Sequence, residues 1–148
     1  VVIGIGATVA DVMTLEKSRD EADRALRVLR STWNSSGRTV ACADDVQINS
    51  LLLRLSDALA DENETASGPL AVLREYDRSH DINLVDTLRA WLDTFGDIPA
   101  AASLVHIHVN TFRYRLKKLA GIAGIDLDDP ETRFSLMLQL RLFHPTML

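Results

Sequence analysis

His108-Val109-Asn110-Thr111-Phe112-Arg113-Tyr114-Arg115-Leu116-Lys117-Lys118-Leu119 is the most strongly patterned stretch of the sequence. At helical spacing Phe112, Leu116 and Leu119 share one face and point inward, while Asn110, Arg113, Tyr114 and Lys117 collect on the opposite side. Thr111, Arg115 and Lys118 form an adjoining flank. A helix is expected over about Val109–Ala120, ended by Gly121 and Gly124. Before it, Asp97 and Pro99 mark the start of a short Ala-rich helix, Ala100 to about Val105. Small residues there let two helices cross closely. A short helix followed by a second that is basic outside and apolar inside is a helix-turn-helix pattern.

The charge around this pair is one-sided. From Ile98 to Ile125 there is no acidic residue, where the chain average would place about four. An α-helix fits the major groove of DNA, and residues near its N-terminus reach base edges. Asn110 offers an amide for bidentate pairing with adenine, and Arg113 a guanidinium for guanine N7 and O6. Thr111 suits a phosphate or a thymine methyl. Tyr114, Arg115, Lys117 and Lys118 suit the backbone, with His108 either capping the helix or touching a phosphate. A basic surface helix is equally expected as an ordinary solvated face, so the charge pattern alone leaves both readings open.

Outward from this pair, Asn83 is expected to cap a helix whose buried face is Leu84, Val85, Leu88, Trp91, Leu92 and Phe95, with Gly96 as the C′ stop. Asp129-Pro130 starts a last helix with Phe134, Met137, Leu138 and Leu142 as its core contacts. Upstream, Leu51, Leu52, Leu55 and Leu59 stand at helical spacing, Asp61–Gly68 has loop composition, and Pro69 opens a short helix with Leu70, Leu73 and Tyr76. At the start, a strand at Val1–Ile5 leads to a helix with Ser18 and Glu21 as a capping box and Ala22, Ala25, Leu26 and Leu29 as its apolar face. Ser35-Ser36-Gly37 breaks that helix, and Thr39–Ala43 is a second strand. The fold expected is mainly α, a helix-turn-helix domain preceded by a small α/β strand–helix–strand remnant.

The chain has 148 residues, 47% hydrophobic and 25% charged, which is ordinary globular composition. Its net charge of −5 argues against a protein that coats nucleic acid. The distribution narrows that argument, because the residues after 80 carry seven basic groups against eight acidic, and four of those seven lie in Arg113–Lys118. Binding through one local patch is therefore expected. The lone Cys42 excludes an intrachain disulfide and a zinc knuckle, which fits a reducing, cytoplasmic setting. No apolar run approaches a membrane span, and VVIGIGATVA lacks the basic flank of a signal peptide. A start at Val points to a piece of a longer polypeptide. Ser50, Ser103 and Cys42 lack a base at motif spacing, and Gly4-Ile5-Gly6 lacks the third glycine of a dinucleotide fingerprint, so no catalytic residue and no cofactor are expected. His106 and His108 diverge at i, i+2 without an acidic or Cys partner, and His80 and His144 are remote, so no metal site is expected. Asp44-Asp45 and Asp128-Asp129 read as helix caps.

The block from His108 to Leu116, following Ala100-Ala101-Ala102, resembles the H-x-N-T-hydrophobic-R-Y-R-L signature of PucR-family (CdaR-like) bacterial transcription regulators. Thr87-Leu88-Arg89-Ala90-Trp91-Leu92, Gly124-Ile125-Asp126-Leu127-Asp128-Asp129-Pro130 with Arg133, and Pro69-Leu70 with Tyr76-Asp77 are similar to the same family. Val109 departs from it where a basic residue is common, and Pro99 where a small cap is common. Gly4-Ile5-Gly6 and Ser18–Leu26 resemble, more weakly, the last strand and helix of a GGDEF-like domain. The resemblance implies DNA-binding roles for Asn110, Thr111, Arg113, Tyr114 and Arg115, and a homodimer on a paired operator of double-stranded DNA, as in Fis-type domains. It also implies an effector bound outside this segment.

The organisation expected is the tail of a GGDEF-like domain over 1–45, a helical connector over 46–80 and the helix-turn-helix domain over 81–148. The alternative is a non-enzymatic helical association module, its Leu-rich helices forming a dimer interface.

Overall fold

The computed structural model describes residues 1–36 and 39–143 and is mainly α-helical. Strand β1 (Ile3–Ile5) and helix α1 (Leu15–Ser36) precede strand β2 (Val40–Cys42). Helices α2 (Gln47–Asp61), α3 (Gly68–His80), α4 (Leu84–Asp93), α5 (Ile98–Leu104), α6 (Val109–Ala123) and α7 (Pro130–Phe143) follow. Gly37 and His144 lie outside the described residues. The described residues divide into two compact units: residues 1–65 with 141–143, and Ala66–Leu140. The division separates α2 from α3 within the expected 46–80 connector, and it falls inside α7.

In the first unit β1 and β2 pair in parallel, Ile3 opposite Val40 and Ile5 opposite Cys42. Parallel strands need a crossover, and α1 supplies it. Gly4 and Gly6 have a steric reason. A Cβ on either would run into the backbone of α1, at the carbonyls of Ala22 and Ser18. Helix α1 begins three residues before the expected start, so Ser18 and Glu21 are not its capping box. Instead the Ser18 hydroxyl donates to the Ala7 carbonyl at 2.7 Å, and the Ala7 N–H donates to the Glu21 carboxylate at 3.0 Å. Together they tie the strand's exit to the helix. Ala25, Val28, Leu29, Ala41, Val46 and Leu53 form the unit's core. On α2 the buried residue is Leu53, whereas Leu51 and Leu55 are exposed.

Among the described residues, the second unit buries more large side chains. Leu70 and Leu73 of α3, Leu84, Val85, Leu88, Trp91 and Leu92 of α4, Phe112 and Leu119 of α6 and Leu136 of α7 are all buried. Ala101 and Ala102 are buried on α5, where small side chains let α5 approach α4 and α6. Phe134 is exposed and Met137 and Leu138 are half-buried, whereas Leu136 and Leu140 are buried together with Leu142, the expected core contact of α7 that is buried.

Helix α4 ends in a Schellman motif: the Phe95 N–H donates to Leu92 O and the Gly96 N–H to Trp91 O. With Thr94 as C-cap, Phe95 takes the C′ position and Gly96 follows it. Phe95 therefore leaves the helical register with φ of 54° and is 93% exposed, so it fills no core position. Helix α5 ends the same way, His106 donating to Ser103 O and Ile107 to Ala102 O, with His106 at φ of 54°. Helix α6 runs through Gly121 and stops at Gly124, whose φ is 63°.

Candidate nucleic-acid interface

Three helix termini set the geometry of the α4–α5–α6 unit. Asp97 caps α5 by accepting from the Ala100 N–H at 2.9 Å, with Pro99 in the first turn, where no intrahelical donor is missed. The His108 Nδ1 accepts from the Asn110 N–H at 3.2 Å, so His108 caps α6 and its proton sits on Nε2. Asn83 occupies the N-cap position of α4 without a side-chain bond. Its task is taken by Asp77 of α3, whose two carboxylate oxygens accept from the N–H groups of Leu84 and Val85 at 2.8 and 2.9 Å. An anion there also complements the positive end of the α4 dipole. The buried Thr87 hydroxyl is satisfied by the Asn83 carbonyl at 2.8 Å.

Helix α6 packs against α3, α4 and α5 through its apolar face. Phe112 and Leu119 are fully buried and Leu116 is half-buried. Asn110, Thr111, Arg113, Tyr114 and Lys117 are exposed, Tyr114 to 65%. Arg115 and Lys118 are half-buried on the flank. Arg113 donates to the side-chain amide oxygen Oδ1 of Asn110 at 3.3 Å, so two of the expected base readers share one turn of the helix. Lys118 is placed differently from its neighbours. Its Nζ lies 5.3 Å from the Tyr76 ring centroid and 5.9 Å from that of Tyr114. Hydrogen bonding to the Tyr76 side chain holds the ammonium above the ordinary lysine range.

The loop after α6 is fixed from α7. Arg133 donates to the Leu127 carbonyl, pairs with Asp128 at 3.3 Å and stacks its guanidinium 4.9 Å from the Trp91 centroid. Asp129 caps α7, accepting from the Thr132 hydroxyl at 2.6 Å and the Thr132 N–H at 2.8 Å, and those bonds hold its carboxyl below the usual aspartate range. Asp44 and Asp45 stand in the first turn before α2 without a capping bond. His106 and His108 join no metal-binding group among the described residues.

Tyr76 and Asp77 are the residues that spacing missed as contributors to this surface. Both act across the α3–α4 or α3–α6 contact, and a local pattern carries no signal for such pairs. Their adjacency in the family-like Tyr76-Asp77 dipeptide is the one available hint.

The PucR C-terminal helix-turn-helix domain matches residues 84–142, which covers α4–α6 and nearly all of α7. An uncharacterised protein in the pkwA 5′ region of Thermomonospora curvata is 32% identical over 132 residues, 85% of this chain and 71% of its own length. The chain belongs to the PucR family. Two further relatives of this PucR-family chain come from Bacillus subtilis. The DNA-binding transcriptional activator AdeR is 40% identical over 75 residues, 51% of this chain and 18% of AdeR. The proline-responsive transcriptional activator PutR is 29% identical over 143 residues, 95% of this chain and 34% of PutR. The chain thus spans about a third or less of these named regulators. No solved structure matches it. No helix among the described residues is long and apolar enough to cross a membrane.

Proposed function

We propose that this PucR-family chain binds double-stranded DNA sequence-specifically as the C-terminal part of a bacterial transcription regulator, with α6 in the major groove. The observation that carries the reading is the division of α6. Its apolar face is sealed against α3, α4 and α5, while Asn110, Thr111, Arg113, Tyr114 and Lys117 stand in solvent within a stretch free of carboxylates. Asn110 and Arg113 read base edges near the helix N-terminus. Thr111, Tyr114, Arg115 and Lys117 contact the backbone, and the His108 Nε2–H is free to donate to a phosphate while Nδ1 caps the helix. The role is non-enzymatic, and a homodimer places two α6 helices in successive grooves. Residues 1–45 are the tail of a GGDEF-like domain, and the effector binds outside this segment.

Selection of bound sequences from a random duplex pool tests this. Two half-sites about one helical turn apart are expected. Recovery of no preferred sequence contradicts base reading.

A second reading, association through the first unit, is favoured by one observation. Ile48, Leu51 and Leu55 make an exposed stripe along α2, at 66%, 49% and 45%. It is compatible with the first, since a dimer is part of both.

A further inference from the structure

Of the basic residues on α6, Lys118 alone has its charged end against aromatic rings of two helices. Nζ sits between Tyr76 of α3 and Tyr114 of α6, at 5.3 and 5.9 Å from their centroids, within the range of cation–π attraction. Tyr76 is itself held within α3. His80 stacks on its ring at 3.9 Å with planes 7° apart, and the His80 ring nitrogen is 3.1 Å from the Tyr76 carbonyl oxygen. One residue on, Asp77 caps α4. Helix α3 thus grips two helices of the unit: α4 at its N-terminus through Asp77, and α6 in its second half through Tyr76.

We propose that Lys118 is a positioning residue and not a phosphate ligand: it ties α6 to α3 through Tyr76, which makes Tyr76 a determinant of DNA affinity outside the matched segment 84–142. The inference rests on the reading of α6 as the recognition helix. A lysine that donates to a phosphate must project into the counterion layer, where its removal lowers the salt dependence of binding. A lysine engaged by Tyr76 and Tyr114 contributes by fixing the tilt of the helix and the place of the Tyr114 ring. The same geometry makes α3 part of the DNA-binding unit, in keeping with a compact unit that begins at Ala66.

The test uses the intact chain and a duplex recovered by selection, titrated over a range of salt. Lys118→Met keeps the aliphatic stem and removes the charge. It is expected to weaken binding roughly two- to fivefold, the scale of one cation–π contact, with the slope of log affinity against log salt unchanged. Tyr76→Leu is expected to weaken binding by a similar factor, and Tyr76→Phe, which keeps the ring and packing, by less. Lys118→Met on top of Tyr76→Leu is expected to cost little more than either alone, because one interaction is removed twice. A slope that falls by about 0.9 in Lys118→Met, or Tyr76 variants that bind as tightly as the parent or more tightly, overturns the proposal. A parent chain that selects no sequence at all instead sinks the reading of α6 beneath it, and the two failures are told apart by that control.

Discussion

The two units of this chain are built from similar amounts of sequence and bury it very differently. Among the described residues the first unit's core holds Ala25, Val28, Leu29, Ala41, Val46 and Leu53, two of them alanines. It leaves Ile3, Ile5, Val40, Ile48, Leu51 and Leu55 exposed. The second unit buries Leu70, Leu73, Leu84, Leu88, Phe112 and Leu119 completely or nearly so, with Trp91 at 7% exposed. Since stabilisation follows the apolar area removed from water, burial among the described residues makes the second unit the more stable of the two. That suits the roles assigned to them. A helix that must present Asn110 and Arg113 at fixed spacing needs a rigid bed, whereas an α/β piece with an exposed apolar stripe is suited to contact with other protein surface.

The largest blow to this contrast comes from Phe112, which has no exposed surface. Phe112→Ala is expected to cost about 3–5 kcal/mol and to abolish the cooperative thermal transition of the second unit. A variant that melts as the parent does removes the basis of the comparison. Phe95→Gly should move stability the other way. A bulky residue at φ of 54° carries strain, and a 93% exposed ring offers no burial in return. Relief of the left-handed penalty, about 1–2 kcal/mol, less the added chain entropy of glycine, about 0.5–1 kcal/mol, leaves a net gain of up to about 1.5 kcal/mol. Differential scanning calorimetry should show a small rise in the second unit's midpoint. A fall would mean that the ring is held in a contact.

The smallest effect sharpens the comparison through pH. The Asp129 carboxyl is held below its ordinary range by Thr132, so its cap on α7 stabilises the fold above the unfolded-state pKa and is lost as pH falls through the lowered folded value. Asp129→Asn is therefore expected to lower the thermal midpoint at neutral pH, with the gap to the parent narrowing on acidification through the aspartate range. A constant gap at all pH values contradicts the cap's electrostatic part.

Much of the second unit was legible because its signals are local. The 3.6-residue period placed Phe112 and Leu119 inward, Asp97 and His108 stood where caps are needed, and Ala101 and Ala102 marked the close crossing. The failures are non-local. Asn83 sits at the right position to cap α4, yet Asp77 does so across a turn. Ser18 and Glu21 have capping-box spacing, but their partner is Ala7 of the preceding loop. Periodicity also misplaced short leucine-rich helices. On α2 and α7 the apolar residues stand in unbroken runs, Leu51–Leu53 and Leu136–Leu138, so which face is buried is settled by neighbours, giving Leu53 and Leu136 in place of Leu51 and Phe134. Phe95 was misassigned for a different reason, because the helix ended two residues before it. The polar residues that α6 leaves exposed, Asn110, Thr111, Arg113, Tyr114 and Lys117, were all nameable from sequence; the engagement of Lys118 by an upstream tyrosine was not.

The central claim is that α6 reads bases as well as phosphates, and Arg113 is where it is most exposed to refutation. Arg113→Ala, titrated against the selected duplex and against single-base variants of it, is expected to lose about 1–3 kcal/mol on the selected sequence and to stop discriminating at one base pair while keeping its preferences elsewhere. Uniform weakening on every duplex, with a shallower salt slope, would place Arg113 on the backbone and contradict base reading by this residue.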